Sequence, residues 1–393
     1  MTLILAILTL FTWSYLILAH GRFWSAGPTL PPAQPLTAPP VEIIIPARDE
    51  AESIEATLRS LLAQDYRGPF HITLVDDDST DATAALARAI DNPRLTVLTG
   101  APRPLGWSGK QWALQQGISS PLHSREGPGV GNARTASGME SSNPAPLLFL
   151  TDADIIHDPT HLSTLVAKLE YDHLDMLSEL VELRCTSPAE RALVPAFVFF
   201  FQLLYPFAHV NDPAHRTAAA AGGTVLLRRT ALDRIGGIEA LRGALIDDVA
   251  LAAALKPHGP IFLAHSTEAR SLRPYPAPMD IWRMVARTAY VQLRFSPLLL
   301  LGTIIGLALV WLVPPALTLF APAPARYIAA SAWLASTLAY IPTLHRFRQS
   351  PLWALALPAI ATFYLAATIG SAIDHHRGRG VVWKRRAYQN ASV

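Results

Sequence analysis

Asp152 and Asp154 stand one residue apart, directly after the apolar run Leu147–Leu150. Two carboxylates on alternate residues at the end of a buried strand repel each other unless a cation or ligand lies between them. Mg²⁺ or Mn²⁺ held by one or two carboxylates plus substrate phosphates is the usual arrangement for such hard cations. A lone Asp-x-Asp is more often a cap or a solvated turn, so its weight depends on its company. Asp76, Asp77 and Asp78 follow Val75 abruptly. A polar turn capping the next helix accounts for Asp78 or Ser79 but not for Asp76. Glu50 follows "VEIIIP" (41–46), and Asp247 and Asp248 open "DDVALAAAL" (247–255). For that last pair the helix dipole is a sufficient reason by itself, since it favours acids at N-termini by about 0.3 to 1 kcal/mol.

Lys110 lies in "LGWSGKQWAL" (105–114), superficially a phosphate loop. The stretch departs from a phosphate loop, with Pro104 where glycine is needed and Gln111 where Ser or Thr is needed. Lys110 can still meet a diphosphate as a point charge. No G-x-G-x-x-G follows the first strand, which counts against a nicotinamide or flavin enzyme. In "AAAAGGTVLLRRTALDRIGG" (218–237) a turn leads into a strand and a helix. Gly222 and Gly223 there either let the backbone approach a ligand closely or form a plain turn.

The elements that must position these residues are legible as alternating patterns. "VEIIIP", "HITLVDDD" (71–78), "RLTVLTG" (94–100) and "PLLFLTDADII" (146–156) read as strands. Between them "RDEAESIEATLRSLLAQ" carries Ile54, Leu58, Leu61 and Leu62 at helical spacing, and "STDATAALARAI" reads as a helix capped by Ser79 or Thr80. "PTHLSTLVAKLEY" (159–171) is a further helix. Such alternation implies an α/β fold with a mostly parallel, Rossmann-like sheet flanked by helices. Ligands of these sheets sit at the carboxyl ends of the strands, where three strands here deliver acid.

Composition adds a membrane. The 393 residues carry a net charge of +2 and only 16% charged residues. Residues 2–19, 297–320, 327–344 and 351–373 hold no charge, and each is about long enough for a hydrocarbon core of roughly 30 Å. The expected organisation is a transmembrane anchor (1–20), a Pro-rich linker (21–40), one domain (41–277) with a flexible insertion (119–146), an interfacial amphipathic helix (278–296), three transmembrane segments (297–373) and a basic tail (374–393). The first segment lacks the basic start of a signal peptide and reads as an uncleaved anchor. "ALVPAFVFFFQLLYPFA" (192–208) reads as an interfacial helix interrupted by Pro195 and Pro206, with Phe199 to Phe201 toward lipid or a lipid-like substrate. Arg283, Arg287 and Arg294 share one face of the helix expected over 279–295, suited to anionic headgroups or a diphosphate.

Basic residues beside the spans, Arg22 and this stripe, place the domain on the cytoplasmic side of a plasma (inner) membrane in a multi-pass chain. Three later spans would put the tail outside, yet Arg377, Arg379, Lys384, Arg385 and Arg386 favour the inside. Either one late segment does not cross fully, such as the one broken by Pro314 and Pro315, or the rule fails here. Cys185 is the only cysteine, so no intrachain disulfide forms and a reducing compartment fits.

The order "IIIPARDE", "VDDDSTD", "GWSGKQWAL", "FLTDAD", "GGTVLLRRTALDRIGG", "IDDVAL", ahead of apolar C-terminal segments, resembles the inverting family 2 glycosyltransferases of GT-A fold. More narrowly it is similar to the membrane-bound hopanoid-biosynthesis-associated members. The resemblance implies that Pro46, Arg48 and Glu50 border the nucleotide, that Asp77 or Asp76 binds the base, and that Lys110 lies near the donor phosphates. It implies that Asp152 and Asp154 hold Mg²⁺ or Mn²⁺, and that Asp248, preceded by Asp247, is the catalytic base. Asp78 stands where the family has glycine, and Asp247 where it has glutamate. The Gln-x-x-Arg-Trp motif is absent, its nearest approach being Gln292 to Phe295.

The implied partners are a nucleotide-diphosphate sugar, a membrane lipid acceptor and the bilayer, with no nucleic acid. A rival from another class is a catalytically inactive scaffold for lipid-modifying enzymes that keeps the fold. Intact carboxylates at three strand ends disfavour it. A nucleotidyltransferase would need a basic loop for a triphosphate, and no such loop is visible.

Overall fold

An apolar helix, α1 (Thr2–Leu18), and the Pro-rich stretch after it lead into β1 (Val41–Ala47), which is buried along its whole length. Its β-branched residues suit a strand covered on both faces. The computed structural model describes residues 1–120, 145–377, 382–383 and 386–387, so the insertion expected over 119–146 lies almost wholly outside the described residues. After β1 come α2 (Ile54–Leu62), β2 (Phe70–Asp76), α3 (Thr83–Arg88), β3 (Leu95–Thr99), α4 (Gly109–Ser119) and β4 (Leu147–Thr151). This half follows the expected alternation.

The second half departs from it. The run 146–156 breaks into β4 and a separate β5 (Ile155–His157), followed by α5 (His161–Tyr171), β6 (Met176–Glu182), α6 (Pro188–Leu204) and α7 (Phe207–Asn211). Then come β7 (Thr224–Arg228), α8 (Arg229–Arg234), α9 (Asp247–Leu255), β8 (Ile261–Ser271) and the amphipathic α10 (Pro278–Gln292). The fold is α/β and GT-A-like, with one eight-stranded sheet in the order β3-β2-β1-β4-β7-β6-β8-β5. β1 is parallel to β2 and β4, β2 to β3, and β6 to β8, whereas β7 is antiparallel to both neighbours and β5 to β8.

The sheet must curl. Four residue steps from Thr151 to Ile155 reach at most about 14 Å, whereas four strand spacings on a flat sheet are about 19 Å. The β5 edge therefore returns toward β4, and His157 Nε2 lies 3.1 Å from Thr151 Oγ1. This closure carries the Asp152-Ala153-Asp154 turn over the strand ends.

Several local expectations are corrected. α3 starts at Thr83, later than expected, and Asp81 accepts from its N–H, while Ser79 Oγ accepts from Asp49 N–H instead of capping the helix. α6 runs unbroken through Pro195 and stops before Pro206. Phe199 is fully buried against Phe23, Trp311 and Tyr340, so it belongs to the interior. Arg294 lies beyond the end of α10 at φ 51°, off the expected basic stripe.

At the C-terminus α11 (Pro297–Leu307) continues through a π-turn into α12 (Val313–Phe320), followed by α13 (Ala325–Arg346) and α14 (Leu357–His376). Among the described residues two helices, Pro297–Phe320 and Pro351–His376, are long and apolar enough to cross a membrane, and Thr2–Leu18 is a shorter apolar helix. One apolar layer joins Leu148 and Leu150 of the sheet to Phe199, Trp13, Trp311 and Tyr340. The domain and the C-terminal helices thus share a core.

Candidate functional site

Ala153 anchors the turn between the two aspartates. Its carbonyl accepts from Ser53 Oγ at 3.1 Å and from Thr57 Oγ1 at 3.0 Å, so α2 clamps the turn from beneath. The flanking carboxylates diverge to different cations. Asp152 Oδ1 lies 2.7 Å from Lys110 Nζ, and Asp154 Oδ2 lies 2.7 Å from Arg273 Nε. Arg273 also reaches Glu50 Oε1 at 2.8 Å, joining the acids beyond β1 and β4. Their repulsion is relieved by two basic side chains, one of which sequence reasoning missed.

Lys110 owes its position to the residue that spoils the phosphate-loop pattern. Ser108 caps α4 by accepting from Gln111 N–H at 3.1 Å. The Gln111 amide donates to Leu241 O at 2.9 Å and Ala244 O at 2.8 Å, tying α4 to the segment that precedes α9. Lys110 then lies 3.8 Å from Asp247 Oδ2. Burial pulls its pKa down, but Asp152, Asp247 and Asp248 outweigh this and hold it above the usual lysine value.

Asp248 is the second residue of α9, and its carboxylate is held by two backbone donors. Gly222 N–H donates to Oδ2 and Val249 N–H to Oδ1, each at 2.8 Å. The glycine pair after Ala221 thus approaches an acid of the chain itself. Burial pushes the Asp248 pKa up and Asp247 adds to it; Lys110 and the two N–H groups pull it back, leaving it at about 6. A carboxylate tuned to that range accepts a proton near neutral pH.

Arg48, Asp76 and Asp77 form a separate buried group. Arg48 Nη1 donates to Asp77 O and lies 3.9 Å from Asp77 Oδ2. Asp76 is 6% exposed, and its Oδ1 has no hydrogen-bond partner among the described residues. Pro46, Glu50, Lys110, Asp152, Asp154, Asp247 and Asp248 instead all line one cavity of about 580 Å³. Phe200, Phe201, Met284, Leu307, Ala361 and Tyr364 line the same cavity, so it runs from the carboxylates into the apolar C-terminal helices. Its size is that of a site for a small organic ligand.

The family model described as glycosyltransferase like family 2 matches residues 39–287, most of the chain. The chain belongs to that family. It is a glycosyltransferase. Among solved structures, a mannosyltransferase of Pyrobaculum calidifontis in complex with GDP-Man and Mn²⁺ is 20% identical, with 96% of this chain and 100% of that chain covered and a TM-score of 0.55. At that identity the likeness is one of fold. TarS 1-349 of S. aureus in complex with UDP-GlcNAc is 13% identical, covering 88% of this chain and 95% of that one, with a TM-score of 0.37. No curated protein matches the chain.

Three residues at this cavity had no signal of their own in the sequence. Arg273 stands 119 residues from Asp154 and 223 from Glu50, so no local pattern links them. Tyr205 and Tyr275 line the cavity from apolar or Pro-rich stretches without periodicity. Conversely, Arg283, exposed and paired with Asp280, does not line the cavity, whereas Arg287 does.

Proposed function

We propose that this glycosyltransferase moves a sugar, with inversion, from a nucleotide-diphosphate sugar to the hydroxyl of a membrane lipid, a hopanoid or a related compound. One observation carries the reading. A single cavity is lined both by acids and cations and by aromatic and aliphatic side chains of α6, α10, α11 and α14. A polar donor and an apolar acceptor can meet there. The domain is read as lying on the cytoplasmic face, with its amphipathic α10 at the lipid surface.

Asp248 is read as the base. As the acceptor oxygen bonds to the anomeric carbon, the bond from that carbon to the diphosphate breaks and the hydroxyl proton passes to Asp248. Proton removal and charge neutralisation both grow in the transition state, as catalysis requires. Lys110 and Arg273 are read as pairing with the diphosphate, and Asp247 as steadying Lys110. Pro46, Arg48 and Glu50 are read as bordering the nucleotide, and the buried Asp76 and Asp77 as facing its base.

The donor set at Asp152 and Asp154 suits Mg²⁺ or Mn²⁺. Two carboxylates offer hard oxygen ligands, and diphosphate oxygens would complete the set. Among the described residues no group of three or more His, Cys, Asp or Glu side chains is arranged to hold a metal alone, which accords with a site shared with the donor. When bound, the cation supplies neutralisation of the charge on the departing diphosphate.

The test is to incubate membranes containing or lacking the protein with a panel of labelled nucleotide sugars and extract the lipid. Label should enter lipid only with the protein and a divalent cation. Asp248→Asn should abolish transfer yet bind donor. Absence of labelled lipid across the panel, or full activity of Asp248→Asn, overturns the reading.

A further inference from the structure

Tyr205 and Gln292 line the same cavity as the carboxylates and the apolar side chains of the C-terminal helices, and the reaction above has not used them. Tyr205 is the residue just after α6, and its N–H still bonds to Phe201 O at 2.8 Å before Pro206 turns the chain away. Gln292 is the last residue of α10, and its side-chain amide donates to the Tyr205 hydroxyl. Both line the cavity that also holds Asp248. Accepting from Gln292 fixes the phenol and leaves its own O–H to be donated.

The charge of Asp248 acts on this phenol. Burial raises the Tyr205 pKa, the Gln292 hydrogen bond lowers it, and Asp248 raises it again, leaving it above the usual tyrosine value. The hydroxyl keeps its proton at any working pH.

We propose that Tyr205 binds and orients the acceptor hydroxyl beside Asp248, with Gln292 holding Tyr205 in place. The inference rests on the transfer reaction proposed above. An alcohol oxygen has four directions: its carbon, its proton and two lone pairs. The proton points to Asp248, one lone pair accepts from Tyr205, and the other is left aimed at the anomeric carbon. That lone pair forms the new bond while the electrons of the sugar–phosphate bond leave with the diphosphate and the proton goes to Asp248. Tyr205 and Gln292 neither gain nor lose a proton. Their contribution is orientation, and small misplacements of reacting groups cost up to about 100-fold in rate. The acceptor class is narrowed to a neutral alcohol carried at the end of an apolar body, because Phe200, Met284, Leu307 and Tyr364 line the same cavity as Tyr205.

The experiment uses the full-length protein, the labelled nucleotide sugar that marks lipid, and vesicles of total lipid extracted from membranes lacking the protein. Tyr205→Phe should lower kcat for lipid labelling by about 10- to 100-fold while donor affinity stays within about twofold. The share of consumed donor released as free sugar should rise, because a misaligned alcohol competes poorly with water. Gln292→Leu should shift that share in the same direction by a smaller amount, whereas a merely structural role would leave it unmoved. Wild-type labelling and partition in Tyr205→Phe overturn the orienting role alone. Failure of the wild type to label any lipid overturns the transfer reading and this inference together.

Discussion

Gly222 and Asp248 are joined by a hydrogen bond of 2.8 Å from the backbone of one to the carboxylate of the other. The bond places the turn before β7 against the first residues of α9, and it works because residue 222 has no side chain. A Cβ there would lie 2.9 Å from Lys110 Nζ and 3.3 Å from Asp248 Oδ2. The lysine is long enough to move aside, so Gly222→Ala should fold and melt like the parent. Displacing Lys110 and Asp248 together should reduce transfer by about 10- to 100-fold. Activity within twofold of the parent would show that this contact does not set the geometry of the site.

As the proposed base, the Asp248 carboxylate must be ionised to take a proton, and its pKa is pushed up to about 6. Activity should therefore be full above that value and fall about tenfold per pH unit below it. Asp247 raises the Asp248 pKa by like-charge repulsion, so Asp247→Asn should move the acid limb of the kcat/KM profile to lower pH. A limb that stays in place would mean that another group governs the titration.

Sequence and structure agree best where a residue and its element are close in the chain. The abrupt passages from Val75 to Asp76 and from Leu150 to Asp152 marked strand ends, and β2 and β4 do end at Asp76 and Thr151. Local periodicity could not show that the next three residues carry the chain from the middle of the sheet to its far edge, because strand order is set by pairing partners far away. β6 and β8 were unforeseen for a related reason. β6 mixes acids with its apolar residues, and β8 carries His265, Glu268 and Arg270, so neither reads as an apolar run. In β6 the buried Glu179 is satisfied by His161 at 2.9 Å, whose ring meets His157 at 2.9 Å. That polar chain crosses three elements and has no linear signature. Arg273 escaped notice in the same way.

Glu190 fixes the start of α6 to the segment just after Arg273. Its carboxylate accepts from the N–H groups of Ser187 at 2.8 Å, Thr186 at 2.9 Å and Tyr275 at 2.8 Å. Burial pushes its pKa up, but these donors outweigh burial and bring it down to about 2. A depressed carboxyl pKa stabilises the fold fully above the unfolded value, near 4.5, and that contribution is lost as pH falls toward about 2. Glu190→Gln should destabilise the protein at pH 7 by about 2 kcal/mol, since an amide NH₂ would face backbone donors. The difference in melting temperature between the two proteins should shrink between pH 4.5 and pH 3. A gap that stays constant over that range would place the cause elsewhere.

Lys110 and Arg273 already neutralise Asp152 and Asp154, so a divalent cation must displace charge-assisted hydrogen bonds to bind. A diphosphate gives both basic residues another partner and brings oxygen ligands of its own. Mn²⁺ alone should therefore bind weakly, and at least about tenfold more tightly once the nucleoside diphosphate of the active donor is present. Arg273→Ala should reduce this difference by freeing Asp154. Calorimetric titration of Mn²⁺ with and without the nucleotide decides the matter, and equal affinities would separate the metal from the donor.

The packing of α14 gives a way to test on which side of a membrane the carboxyl end lies. Its length and composition would let it cross a membrane, but it runs alongside α10 for much of its course. Trp282 stacks edge-on against Phe363, and a Cβ at Gly370 would lie 2.7 Å from the Trp282 ring, so glycine allows the close approach. Further on, Ser371 Oγ accepts from Tyr290 N–H at 3.2 Å, and the Tyr290 ring meets His376. Residue numbers rise together along both helices, so they point the same way. Its middle also touches the domain, where Tyr364 Oη donates to Leu193 O at 2.8 Å. α13 likewise returns to the domain, with Arg346 Nη2 donating to Ser266 O at 2.8 Å. If α11 with α12 passes outward and α13, which is not one of the two helices long and apolar enough to cross, nevertheless returns, α14 lies on the domain's side, where basic charge beside a span is favoured. Reporters fused after Val393 and inserted at 321–324 should therefore report opposite sides, the first matching the domain. A Val393 reporter on the side opposite the domain would mean that α14 crosses, and its contacts with α10 could not then place it at the lipid surface.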